Sequence, residues 1–176
     1  MKVRETAIIE FTASNRRGKK ERKKMYWLKM ELSPNFSFVP GIRTCISKTA
    51  YNFGFDDREA YHIEIVIDEI CNNAIEYGSK KKNGRIKLEC KFYKNVMEFV
   101  VKDFGGKDFN VEAALKKGFT LLEEEISKGN VEIPRRGRGL VIVKKLVDRL
   151  EIKSGKNGTL VRIIKRKKNG NKNKQP

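Results

Sequence analysis

The stretch "DDREAYHIEIVIDEICNNAIEYG", residues 56–78, sets the architecture. Ile63, Val66, Ile67, Ile70 and Ala74 recur at the three- and four-residue spacing of one helical face. Asp56 or Asp57 can cap its start, and Gly78 can end it. A helix with one apolar stripe needs a surface to cover. Downstream, "GRIKLECKFY" and "VMEFVVKDF" alternate as strands around the turn "KN". Upstream, "NFSFVPGIRTCISKTAYNFGF" carries a helical pattern with Pro40 in its first turn, and "MYWLKMEL" before it alternates as a strand. "RRGRGLVIVKKLVD", residues 135–148, predicts a helix from Leu140, and "LEIKSG" and "TLVRIIKRK" close a hairpin around "KNG". Strands joined by hairpins, interrupted by helices, predict an α+β fold. It would be a two-layer α/β sandwich with a mixed, antiparallel-rich sheet and its helices on one face.

Around this unit, residues 1–24 read as a basic N-terminal extension holding one strand candidate, "TAIIEFTA". Residues 25–165 read as the domain, and residues 166–176 as a basic C-terminal tail. Residues 107–136 are polar, weakly helical and punctuated by Gly118, Gly129, Asn130 and Pro134. That is long for a connection, and such segments are usually lids or binding loops, here expected to be ordered by a ligand. No internal repeat is visible.

The chain has 176 residues, 39% of them apolar, enough for one domain with a core of its own. No run approaches the roughly 18 apolar residues of a membrane span. "AIIEFTA" is broken by Glu10 and is too short for a secretory core, so a cytoplasmic protein without a membrane partner is expected. Cys45, Cys71 and Cys90 show no CxxC spacing and read as reduced thiols. His62 is the lone histidine, and a catalytic triad of the serine–histidine type is not expected. The net charge of +18 raises nucleic acid as a partner. Residues 1–30 hold ten bases against three acids and residues 162–176 seven against none, so the excess belongs to the ends. Those ends lack the interleaved aromatics of a single-strand platform, which argues against nucleic acid as the main partner.

Four short stretches carry chemistry. Glu69 and Asn73 lie four apart on one helical face beside the apolar stripe, where a carboxylate can act as a general base and a carboxamide can ligate magnesium. Asp103 ends a strand in "VVKDFGG", where a carboxylate can accept a hydrogen bond from an exocyclic amine and Gly105 leaves room for a flat ring. Gly137 and Gly139 open a helix among Arg135, Arg136 and Arg138, an anion-binding pattern that is not the GxxxxGK[ST] of a P-loop. Thr159 follows a turn glycine in "NGTLVRI". Each is also compatible with ordinary helix shoulders, turns and hairpins.

In their order, "IDEICNNAIEYG", "VKDFGGKDF", "RRGRGLVIVKKLVD" and "NGTLVRI" resemble the four ATP-binding boxes of the GHKL, or Bergerat-fold, ATPase superfamily. The likeness is greatest to bacterial anti-sigma factor serine/threonine kinases and covers roughly residues 25–165. The resemblance implies a Bergerat-type sandwich that binds ATP with Mg2+. It implies Glu69 as general base, Asn73 as magnesium ligand, Asp103 with Gly105 and Thr159 as the adenine pocket, and Gly137, Arg138, Gly139 and Leu140 as the turn over the phosphates. Lys107 stands where many members have a second glycine, and "DFGGKDFN" looks more like the D-x-G-x-x-F-D variant of stress-type anti-sigma kinases. As partners the resemblance implies an anti-sigma factor antagonist as phosphorylated substrate, a sigma factor, and a second copy of the chain in a homodimer. Two other functions compete: an ATP-binding switch without catalysis, and a nucleic-acid-binding protein using the basic ends.

Overall fold

The computed structural model describes residues 7–14, 25–78, 84–105, 111–127 and 138–168. The helix at the centre of the sequence is α2, Asp57–Gly78. Asp56 is its cap. Asp56 Oδ1 accepts from the Glu59 amide at 2.7 Å, and Glu59 Oε2 accepts from the Asp56 amide at 3.0 Å. This reciprocal capping box satisfies two amides that a helix start leaves open. Ile63, Val66, Ile67, Ile70 and Ala74 are all buried, as their spacing predicts. Each of the isoleucines and Val66 contributes about 1.5–3 kcal/mol through removal from water, and Ala74 less. Before α2, α1 (Val39–Asn52) starts from a 3-10 turn at Phe36–Phe38 with Pro40 in its first turn.

Among the described residues the sheet beneath has six strands: β1 (Ala7–Ser14), β2 (Met25–Leu32), β3 (Ile86–Tyr93), β4 (Val96–Lys102), β5 (Arg149–Gly155) and β6 (Gly158–Arg166). Their spatial order is β1-β2-β3-β4-β6-β5; the sheet is antiparallel-rich as expected but not mixed, because each of the five pairings among the described residues is antiparallel. β1 falls inside the segment read as an extension and pairs along its whole length with β2. Alternation fixes the register. Leu88, Cys90 and Phe92 of β3 stand opposite Val101, Phe99 and Met97 of β4, and all six are buried. The buried positions of α1 and α2 join them in a single core, where Phe53 stacks on Phe92 at 4.8 Å.

The other sheet face is charged. Across it Lys29, Glu89, Lys91, Glu98, Arg162, Glu151 and Arg149 form a run of alternating ion pairs from β2 through β3, β4 and β6 to β5. One sheet face is apolar and helix-covered, and the other is solvated.

The connector between β4 and the last helix differs from expectation. Residues 111–127, read as weakly helical, form the 17-residue helix α3 (Val111–Ser127), which packs against α4 (Gly139–Leu146). Ala113, Ala114, Leu115 and Leu121 are good helix formers, and Gly118 at about 1 kcal/mol is tolerated inside a helix of this length. Cys71 and Cys90 are buried free thiols and Cys45 is half-buried. Burial, reinforced by the nearby Asp68 carboxylate, pushes the Cys71 thiol up to about 12, which makes it chemically quiet.

Candidate active site

Two adjacent acids on α2 have different surroundings. Asp68 accepts from Arg43 Nη1 at 2.8 Å and from Asn72 Nδ2 at 3.1 Å, so it clamps α2 to α1. Glu69, 100° further round, leaves that clamp and lies on the flank facing α4. Its Oε1 accepts from Asn73 Nδ2 at 3.4 Å, the i, i+4 contact that the spacing predicts. Both residues are half-buried. Loss of water raises the carboxyl's proton affinity above the ordinary glutamate value of 4.5. The Asn73 hydrogen bond opposes this, Asp68 and Glu76 reinforce it, and nearby Arg138 opposes it. A carboxylate in this setting is better suited to take a proton than an exposed one. Because Asn73 donates its amide nitrogen to Glu69, its carbonyl oxygen is the atom left to ligate a hard cation.

Gly139 begins α4 directly against Glu69. A Cβ on Gly139 would stand 2.7 Å from Glu69 Cγ and nearer still to the carboxyl carbon and Oε1. Arg138 is the N-cap of α4 and Leu140 its second residue, half-buried. At the far end of α4, Lys165 Nζ donates to the Leu146 carbonyl at 2.7 Å, placing a cation on the negative end of the helix. Gly137 lies outside the described residues, as do Arg135, Arg136, Gly106 and Lys107.

The second cluster is built on β4 and β6, which α2 covers. Asp103 is 6% exposed. Its Oδ1 accepts from the amides of Gly105 at 3.0 Å and Thr159 at 3.1 Å, and its own amide donates to the Thr159 carbonyl at 3.0 Å. Among the described residues, both hydrogen bonds to this carboxylate go to Oδ1. Thr159 in turn shares a hydroxyl contact with Ser154 at 3.2 Å. Gly158 has φ +106°, and a Cβ there would lie 2.8 Å from the Asp103 carbonyl carbon and the Phe104 Cα. The "NGT" turn is therefore shaped around the backbone of Asp103, and only glycine fits it. Phe104 points to the charged side, bracketed by Arg85 at 5.0 Å and Lys102 at 4.9 Å.

The structure thus brings Asp103, Gly105 and Thr159 together at one place, and Glu69, Asn73 and Gly139 together at another, with Arg138 close enough to act on Glu69. Two residues escaped sequence reasoning. Lys165 continues the core-facing register of Val161 and Ile163, so alternation in "VRIIK" already pointed it inward. Glu59 follows Asp56 at capping-box spacing, yet its second bond, accepting the Lys168 amide at 2.6 Å, links residues 109 apart and has no local signal.

The chain is similar to the serine-protein kinase RsbW of Bacillus thuringiensis (strain Al Hakam) and of Bacillus cereus (strain AH820). Each is 29% identical over 126 residues, spanning 71% of this chain and 76% of theirs. The serine-protein kinase RsbW of Bacillus mycoides (strain KBAB4) is 26% identical over 125 residues, again 71% and 76%. A model of the family described as histidine kinase-like ATPase domain matches residues 33–165, which include every residue of both clusters, and this chain belongs to that family.

Proposed function

We propose that this protein is an ATP-dependent serine/threonine protein kinase and anti-sigma factor, which phosphorylates an anti-sigma factor antagonist and sequesters a sigma factor. The observation that carries the transfer step is Glu69: a half-buried carboxylate of raised proton affinity, held apart from the structural clamp that occupies Asp68. Residues 25–165 would form the catalytic domain of a cytoplasmic homodimer. In this reading Asp103 accepts from the adenine amine through Oδ2, with Thr159 and Gly105 holding Oδ1 and Gly105 giving the ring room. Asn73 holds Mg2+ through its carbonyl oxygen, and the donor set fits, since that oxygen is hard and turned from Glu69. Bound there, magnesium would offset charge on the phosphates. Arg138, Gly139 and Leu140, with Gly137, border the phosphates at the start of α4.

The chemical step is a hydroxyl attack. Glu69 takes the proton of the substrate serine or threonine, the hydroxyl oxygen bonds to the γ-phosphorus, and the bond to the bridging oxygen breaks with ADP leaving. Incubation of the protein with labelled ATP and candidate antagonists from the same genome should label one of them. Glu69→Gln should bind ATP and transfer phosphate about 10²–10⁴ more slowly, whereas Asn73→Ala should lose the magnesium-dependent part of ATP binding. Transfer by Glu69→Gln at the wild-type rate would leave only the ATP-binding switch.

A further inference from the structure

Gly139 is buried, and the volume a side chain would take there already contains Glu69. Three successive atoms of the glutamate, Cγ, Cδ and Oε1, run along the bare Cα, with Cγ 2.7 Å from the absent Cβ. Because Cγ is among them, rotation about the outer torsions cannot clear all three, and the side chain has to turn about its Cα–Cβ bond, which carries the whole carboxylate with it. A Cβ at Gly41 or Gly155 would meet nothing within 4 Å, and at Gly158 the obstacle is the backbone of Asp103 and Phe104 rather than a side chain. The same Oε1 that lies over Gly139 accepts from Asn73 Nδ2 at 3.4 Å. The carboxylate is therefore fixed by a hydrogen bond from its own helix and by a gap in the neighbouring one.

We propose that Gly139 is a positioning residue whose missing side chain seats the Glu69 carboxylate, so that the first turn of α4 dictates where the general base stands. This rests on the kinase reading of the site. A glycine at the start of this helix then has a purpose separate from close approach of backbone to phosphate. Displacement of the α4 N-terminus would move the seat, and the base would follow it.

A double-mutant cycle in the full chain tests the seat, using wild type, Gly139→Ala, Glu69→Ala and the double variant. The first readout is the urea midpoint, which needs neither nucleotide nor turnover. Gly139→Ala should lower it when Glu69 is present. In the Glu69→Ala background the same change should lower nothing, and alanine's higher helix propensity should raise it slightly. An equal drop in both backgrounds overturns the proposal. Should Gly139→Ala fail to fold, recovery by adding Glu69→Ala supports the seat and lack of recovery overturns it. The second readout is kinetic. Gly139→Ala should lower kcat for phosphoryl transfer with little change in KM for ATP, whereas a raised KM at unchanged kcat overturns the seat in favour of a phosphate contact. If wild type neither binds nor uses ATP, the kinase reading fails while the midpoint cycle still decides the seat.

Discussion

Glu69 and Asp103 are both partly or wholly withdrawn from water, and they have different partners. Glu69 has its proton affinity raised, chiefly by desolvation, so over a range of pH the folded chain holds a proton that the unfolded chain has released. Its contribution to stability is therefore largest below the unfolded value and is lost as pH rises through the folded one. Glu69→Gln should remove that decline, and urea midpoints taken between about pH 4 and pH 8 will show whether the two curves diverge upward through this window. The acid limb of phosphoryl transfer should correspondingly lie above 4.5, the ordinary glutamate value. A limb at or below that value would remove Glu69 as the base. Asp103 is instead locked by two amides on Oδ1. Asparagine in its place can keep those bonds but presents a donor where the adenine amine needs an acceptor. Asp103→Asn should therefore stay folded and lose about 1.5–3 kcal/mol of ATP binding with reduced preference over GTP. Calorimetry with unchanged affinity would take Asp103 out of the pocket. The i, i+4 pairing of Glu69 with Asn73 was legible in the sequence because a helix fixes it locally. The contact of Glu69 with Gly139 was not, because no periodic pattern links residues in different helices.

Elements whose period is strong read directly: α2, and the β3–β4 and β5–β6 hairpins, fall where alternation and stripe place them. α3 was under-read because Gly118 and the three glutamates at 123–125 interrupt its apolar stripe, so that good local propensity and packing on α4, rather than periodicity, carry the helix. The start of α2 is more elaborate than its sequence announces. Glu59, 3% exposed, returns a bond to the Asp56 amide and accepts the Lys168 amide as well, while the Lys167 amide donates to the Asn95 carbonyl at 2.9 Å. One carboxylate thus joins a helix cap to the exit of the last strand. Glu59→Ala should orphan both amides and cost about 1–3 kcal/mol, more than an exposed cap alone. Urea denaturation compared with Asp56→Ala, which removes only the cap, measures the difference. Equal losses in the two variants would mean that the Lys168 bond contributes nothing.

At the scale of the whole molecule, the basic ends and the site separate. The segments read as extension and tail reach into the fold, since β1 pairs with β2 and Lys167 and Lys168 are tied to Asn95 and Glu59. A truncation that spares these contacts therefore stops before Ala7 and after Lys168, and it removes the bases Lys2, Arg4, Lys172 and Lys174. Nucleotide binding should survive it, and its loss would connect the ends to the site. In the chain, α3 follows Asp103 and precedes α4, on which it packs, and the first residue of α4 touches Glu69. In the kinase reading, α3 and α4 are then one helical unit in contact with the seat of the base. Any ligand that draws the α4 N-terminus toward a γ-phosphate must therefore act on α3 too, and ADP, which lacks that group, has no contact with which to do so. In Glu69→Gln, where turnover is slowed, hydrogen exchange across Val111–Ser127 and Gly139–Leu146 should be slower with a non-hydrolysable ATP analogue than with ADP. β3 and β4, whose facing core residues are buried, should exchange alike in both states and serve as the internal reference. Equal protection of α3 and α4 in the two nucleotide states would mean that this unit does not sense the γ-phosphate, and that a partner could not be told which nucleotide is bound through it.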